Sequence, residues 1–246
     1  MHRFFAPALD PGDEIVDLPR GEAEHLLRVL RLGEGDRVAI FDGRGREYLA
    51  RVTSAPPRTA RVQILSRLDP APEPAVRLTL AAAVLKADRL DDVVRDAVML
   101  GAAAVQPVVS RRTELTVASL VRGARVDRWK RIALASVKQS GRAVLPEIRG
   151  PLAIESLLAG PAPALGLMLL EPRAGAPVEP IGALRSQPAP PDATILVGPE
   201  GGWCEAEWTA ARDRGFRLLT LGSRTLRADA APVAAISVLQ FLWNDL

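Results

Sequence analysis

The sequence predicts an α/β protein, a mostly parallel sheet alternating with helices, preceded by a small β-barrel. Three observations predict it. The apolar run at residues 78–85 is what a strand covered on both faces carries. After it, strand-like and helix-like segments alternate to the end of the chain, the pattern of a parallel sheet. Before it, residues 1–70 read as short strands and turns. The boundary is Asp69-Pro70-Ala71-Pro72-Glu73-Pro74, since prolines at every second position suit neither a sheet nor a helix interior. The expected domains are therefore residues 1–70 and 75–246.

In the first domain, residues 36–41 alternate and run into Asp42-Gly43, a hairpin signal. Residues 47–53 return with Tyr48, Ala50 and Val52 on one face, and residues 61–65 supply another strand. A helix is expected over residues 21–31, with Leu26, Leu27 and Leu30 inward and Arg28 and Arg31 outward. In the second domain, Leu90, Val93, Val94, Ala97 and Val98 keep helical spacing, and Gly101 stands where a C-terminal cap belongs. Further strands are expected at residues 103–109, 164–170, 193–197 and 217–221, and helices at 127–139, 205–214 and 231–243.

Composition removes several chemistries. Cys204 is the only cysteine and His2 and His25 are the only histidines, so a four-ligand zinc site and the Ser-His-Asp and Cys-His patterns lack material. No apolar run reaches the roughly 18–20 residues of a membrane span, and the start, Met1-His2-Arg3-Phe4-Phe5, has no signal-peptide core. A reduced, cytoplasmic, metal-free protein is expected. The net charge is only +3, but the cationic side chains are nearly all Arg, with Lys at 86, 130 and 138 alone. Arg suits bidentate phosphate contacts, although a GC-rich genome yields the same bias.

Chemistry concentrates in three loops, each after an expected strand: Glu171-Pro172-Arg173-Ala174-Gly175, Gly198-Pro199-Glu200-Gly201-Gly202, and Gly222-Ser223-Arg224-Thr225-Leu226-Arg227. Ligands of parallel sheets bind outside the carboxyl ends of strands, and glycine there lets backbone approach a ligand closely. The second loop has neither the spacing nor the Lys of a phosphate loop. Its Glu200 stands where an anion would otherwise bind, which disfavours a triphosphate and tolerates a neutral or cationic ligand.

The run Val197-Gly198-Pro199-Glu200-Gly201-Gly202-Trp203, followed by Glu207, resembles the GPEGG signature of SPOUT-class methyltransferases. Arg3-Phe4-Phe5, His25-Leu26-Leu27-Arg28-Val29-Leu30-Arg31, Gln139-Ser140-Gly141-Arg142 and Leu221-Gly222 with Leu226-Arg227 stand in the order of one family of that class, the 16S rRNA uracil-1498 N3-methyltransferases. The resemblance spans essentially the whole chain. It implies a PUA-like RNA-binding barrel, a trefoil-knot α/β domain, a homodimer and S-adenosylmethionine as cofactor. By motif position, it implies a cofactor site of Leu170 and Glu171, of Gly198, Pro199, Glu200, Gly201 and Gly202, and of Leu221, Gly222, Leu226 and Arg227. It implies small-subunit rRNA as partner, in the assembled or assembling 30S subunit. Where the family usually reads Thr-Glu-Thr-Ala after Leu-Arg, this chain has Ala228-Asp229-Ala230-Ala231.

Methyl transfer from a sulfonium is an in-line displacement, so positioning dominates. Attack by uracil N3 places charge on the ring carbonyls, and Arg227 is the residue assigned to stabilise it. No general base stands out; Glu200 is read as holding loop backbone or facing the cofactor, and Asp229 as a cap of the last helix. RNA contacts are expected from Arg3, Arg28 and Arg31, from Arg111 and Arg112, and from Arg128, Arg131, Lys138 and Arg142, the last group broadly on one helix side. Two other readings stay open: ribose 2′-hydroxyl methylation on another RNA, and a non-catalytic RNA-binding or ribosome-assembly protein.

Overall fold

The computed structural model describes residues 1–54 and 59–245. The chain divides into two compact units, one of Met1–Glu73 with Leu134–Leu145, the other of Pro74–Ala133 with Pro146–Leu246.

The first unit is built on β1 (Arg3–Phe5), β2 (Ile15–Asp17), β3 (Arg37–Phe41), β4 (Glu47–Ser54) and β5 (Arg61–Leu68), in the order β1-β3-β4-β5-β2. β1 runs parallel to β3 and the other pairs are antiparallel. β3 and β4 form the hairpin that Asp42-Gly43 signalled, joined through residues 42–46. The buried Asp42 carboxylate organises it, its Oδ1 accepting from the N–H groups of Arg44 at 2.7 Å and Arg46 at 3.0 Å. Burial alone would raise the Asp42 carboxyl; the two N–H donors and the Arg44 guanidinium outweigh it and leave it lowered. Phe4, Leu26, Val38, Ile40, Ala50, Val52 and Val62 form the core, with Leu27, Leu30 and Tyr48 against it.

The helix expected over residues 21–31 is divided. α1 (Arg20–Glu24) passes into a π-helical turn, His25–Val29. Arg31 then takes φ +55°, which an α-helix cannot continue through.

Residues 134–145 belong to this first unit, whereas their pattern placed them with the second domain. Arg3 explains their attachment. Its guanidinium donates to the carbonyls of Val137 (2.7 Å), Lys138 (3.1 Å), Gly141 (3.2 Å) and Arg142 (2.8 Å), and to the Glu47 carboxylate at 2.7 and 2.9 Å. A cation on the last carbonyls of a helix satisfies acceptors that the helix itself leaves open.

The second unit opens with β6 (Arg77–Ala83), α2 (Arg89–Met99), β7 (Ala104–Val109), α3 (Val117–Arg122) and α4 (Arg125–Ser140), the last shared with the first unit. β8 (Glu147–Ile148), β9 (Leu152–Ala153), α5 (Ile154–Leu158), β10 (Leu165–Leu169) and β11 (Glu179–Pro180) follow. After a 3₁₀ turn at Ile181–Ser186 come β12 (Asp192–Val197), α6 (Glu205–Asp213), β13 (Arg217–Thr220) and α7 (Ala231–Leu242). The sheet order is β11-β13-β10-β12-β6-β7-β8 with β9 beside β7, and every described pairing is parallel. β6 lies inside it, and its residues from Leu80 to Ala83 are buried, as its apolar run requires.

Gly101 ends α2 at φ +89°, with Gly101 N–H on the Val98 carbonyl at 3.1 Å and Ala102 N–H on Ala97 at 2.9 Å, the paired bonds of a Schellman cap. No described helix is long and apolar enough to cross a membrane.

Candidate functional site

The strands β13, β10 and β12 are neighbours and run parallel, so their carboxyl ends emerge along one edge of the sheet. The three loops that leave them enclose a cavity of about 340 Å³, within the range of small-molecule sites. The first loop supplies Leu170 and Glu171, the second Gly198, Pro199, Glu200 and Gly202, and the third Leu221, Leu226 and Arg227. Gly201 and Gly222, placed by motif in the same site, are not among its lining residues. Trp203, Thr220, Arg224 and Arg89 also line it and were not singled out as site residues. Trp203 directly follows the glycine run and Arg224 stands in the third loop, so both were within reach of the sequence. Arg89 opens α2, and nothing in its local sequence points to this cavity.

The glycines of the second loop have individual reasons. A Cβ at Gly198 would stand 3.1 Å from the Trp203 indole nitrogen, which itself donates to the Leu169 carbonyl at 3.2 Å. Gly202 takes φ +69°, and a Cβ there would stand 3.1 Å from Glu171 Oε1. The Glu200 carboxylate holds backbone, as one of its two expected roles had it: Oε1 accepts from the Lys86 N–H at 3.1 Å, with Arg89 at 3.8 Å. Trp203 and Trp208 are buried in the core between the sheet and α6, consistent with packing.

On the third wall, Arg227 grips Asp229 through Nε (3.1 Å) and Nη2 (2.8 Å). That hydrogen bond is the main reason the Asp229 carboxyl lies below its usual range. Asp229 is therefore no helix cap: α7 starts from Ala230, which makes no side-chain capping bond. The same cation neutralises Asp229 and makes it a weaker base.

Among the described residues no cluster of His, Cys, Asp and Glu could hold a metal ion. The basic residues sort by environment. Arg28, Arg31 and Arg131 are exposed. Arg111 and Arg112 are also exposed, with Arg111 near Glu155 and Arg112 donating to the Gly201 carbonyl. Arg128 pairs with Asp88 and Asp91 while keeping about half its side chain in solvent. Three others carry internal work. Arg3 holds the helix end described above, Lys138 pairs with Glu22 at 2.5 Å, and Arg142 is bound to Glu73 with 3% of its surface exposed. Arg142 is also off the helix face on which its spacing placed it, because α4 stops at Ser140 and Gly141 turns the chain at φ +83°.

A family model described as an RNA methyltransferase domain matches residues 72–240, and one described as an RNA methyltransferase PUA domain matches residues 18–65. Together with the parallel sheet and the three-loop cavity, these define the class: a SPOUT-type RNA methyltransferase fold behind a PUA-like unit. A ribosomal RNA small subunit methyltransferase E from Synechocystis sp. is 33% identical over 92% of this chain and 73% of that protein. One from Aquifex aeolicus is 25% identical over 97% and 99%. The crystal structure of such an enzyme from Neisseria gonorrhoeae, bound to S-adenosyl methionine, is 32% identical with a TM-score of 0.88, covering 99% of this chain and 98% of that one. The chain belongs to the ribosomal RNA small subunit methyltransferase E family.

Proposed function

We propose that this protein methylates N3 of a uridine in small-subunit ribosomal RNA, position 1498 by family, using S-adenosylmethionine held in the three-loop cavity. The observation that carries the reading is the convergence of the three loops on one cavity with Arg227 on its wall. The lining fits such a cofactor. Leu169, Leu170, Val197 and Leu226 give apolar surface for an aromatic base, glycines bring backbone close, and Glu171 and Glu200 bring carboxylates that suit a cation. No Lys is present for a phosphate among the lining residues.

Leu170, Glu171, Gly198, Pro199, Gly202, Leu221 and Leu226 would hold the cofactor, which supplies an electrophilic methyl group on a sulfonium. The chain's part is positioning and electrostatics. Arg227 spends its Nε–Nη2 edge on Asp229, which fixes the guanidinium plane and leaves the opposite edge toward a substrate carbonyl. A guanidinium there stabilises the charge that develops on the uracil oxygens as N3 loses its proton and attacks. RNA phosphates are met by the exposed Arg28, Arg31, Arg111, Arg112, Arg128 and Arg131. The working form is a homodimer acting on the 30S subunit; Phe241, 62% exposed on α7, offers an apolar contact for a second copy.

The test is nucleoside mass mapping of small-subunit rRNA after reaction with the purified protein and S-adenosylmethionine. The expected product is 3-methyluridine, and a 2′-O-methylated nucleoside would overturn the N3 assignment. Arg227→Ala should abolish methylation while calorimetry still detects cofactor binding; undiminished turnover would remove Arg227 from the mechanism.

A further inference from the structure

The geometry points to Glu207 as a positioning residue for the cofactor loop, acting through the turn that follows β7. The inference rests on reading the three-loop cavity as the S-adenosylmethionine site.

Glu207 is the third residue of α6, a place where a glutamate commonly reaches back to the N–H that opens the helix. It does so here: Oε2 accepts from the Cys204 N–H at 2.8 Å. That device needs one oxygen. The other, Oε1, accepts at 2.8 Å from the N–H of Arg111, which is 96 residues away in sequence and lies in the turn after β7. Glu207 is 3% exposed, so both acceptors are committed to backbone donors with almost no share for water.

A second tie joins the same two segments. The Arg112 guanidinium donates to the Gly201 carbonyl, and its Cδ stands where a Cβ on Gly201 would be 3.2 Å away. Gly201 is the one residue of the glycine run that does not line the cavity; it is the run's outer side, and Arg112 rests on it. The turn is itself stiff, since the Ser110 N–H donates to Thr113 Oγ1 at 3.1 Å and the two hydroxyls lie 3.0 Å apart. The β7 turn is thus a buttress behind the loop that forms the second wall. Helix capping alone explains Cys204 and leaves the Arg111 bond without a purpose; bracing explains both.

A buried carboxylate that accepts two N–H bonds loses one when it becomes an amide, and the facing donor is then left unsatisfied. Glu207→Gln should therefore raise the dissociation constant for S-adenosylmethionine about tenfold. The Michaelis constant for RNA and kcat at saturating cofactor should hold near their wild-type values. A role confined to folding would lower the yield of active protein without moving the cofactor constant of the folded fraction. Arg112→Met, which keeps the packing on Gly201 and removes the donor, should shift the same constant several-fold and serves if Glu207→Gln does not fold. Calorimetry on the full-length protein reads both variants. Wild-type affinity in a folded Glu207→Gln variant, or in Arg112→Met if that is the one obtained, overturns the inference. Absence of binding by the wild type would instead overturn the reading of the cavity itself.

Discussion

Gly202 offers the sharpest test of the cavity's architecture. Its φ of +69° lies in the left-handed region, where an L-residue costs about 1–2 kcal/mol. An alanine methyl would also approach Glu171 Oε1 at 3.1 Å, but that carboxylate belongs to an exposed residue and gives way by rotation, so this contact adds little to stability. The expected cost of Gly202→Ala is therefore about 1–2 kcal/mol, nearly all of it backbone strain. The tryptophans make the measurement selective: Trp129, Trp203, Trp208 and Trp243 all lie in the second unit, so their fluorescence follows that unit alone. With a urea dependence of about 2 kcal/mol per molar, the midpoint should fall by about 0.5–1 M at unchanged slope. Displacing Glu171 disturbs a cavity wall, so cofactor affinity should fall in the same variant. An unchanged midpoint would mean that residue 202 does not hold the left-handed conformation, and the account of the second loop would fail with it.

Three further outcomes separate surface charge from internal charge and test the first unit. Arg28→Ala should lower the salt slope of RNA affinity by about one, as loss of one phosphate contact does. Arg142→Ala should leave that slope alone and cost about 1–2 kcal/mol of stability, because it removes a buried guanidinium while its partner Glu73 keeps about a third of its side chain in solvent and rehydrates; anisotropy titrations at several salt concentrations and denaturant melts read the two effects. The Asp42 carboxyl is held below its ordinary value of 3.8, so its contribution to stability is present above that value and is lost as pH falls through the folded pKa. The first unit should hence loosen at the acid end, first at the Arg44 and Arg46 amides. Asp42→Asn should weaken that pH dependence, measured by amide exchange; an unaltered profile would remove Asp42 as the organiser of the turn.

The large elements were legible where periodicity and burial coincide. Leu90, Val93, Val94, Ala97 and Val98 are the buried stripe of α2, and Gly101 closes it in the conformation glycine favours. The two- and three-residue strands β1, β2, β8, β9 and β11 were not, because such segments are strands only by virtue of their partners and carry no period of their own. Lys138 and Arg142 read as a basic surface for a similar reason. Composition counts charges, while Glu22 and Glu73, the acids that consume them, are distant in sequence. The cavity followed from three glycine-bearing loops at strand ends, but Arg89 reaches it from another element. The brace at Glu207 depends on a contact spanning 96 residues, which no local pattern announces.

The attachment of Leu134–Leu145 to the first unit has a consequence for how the chain is made. A ribosome delivers the N-terminal residues first, and an N-terminal domain ordinarily folds as it emerges. Here Arg3 cannot find its carbonyl partners, nor Lys138 and Arg142 their glutamates, until the chain has been extended past residue 142. By then β6, α2 and β7 of the second unit have been synthesised. Until that moment Glu22 and Glu73 wait without their cations, so the unit that starts first is completed only after its successor is under way.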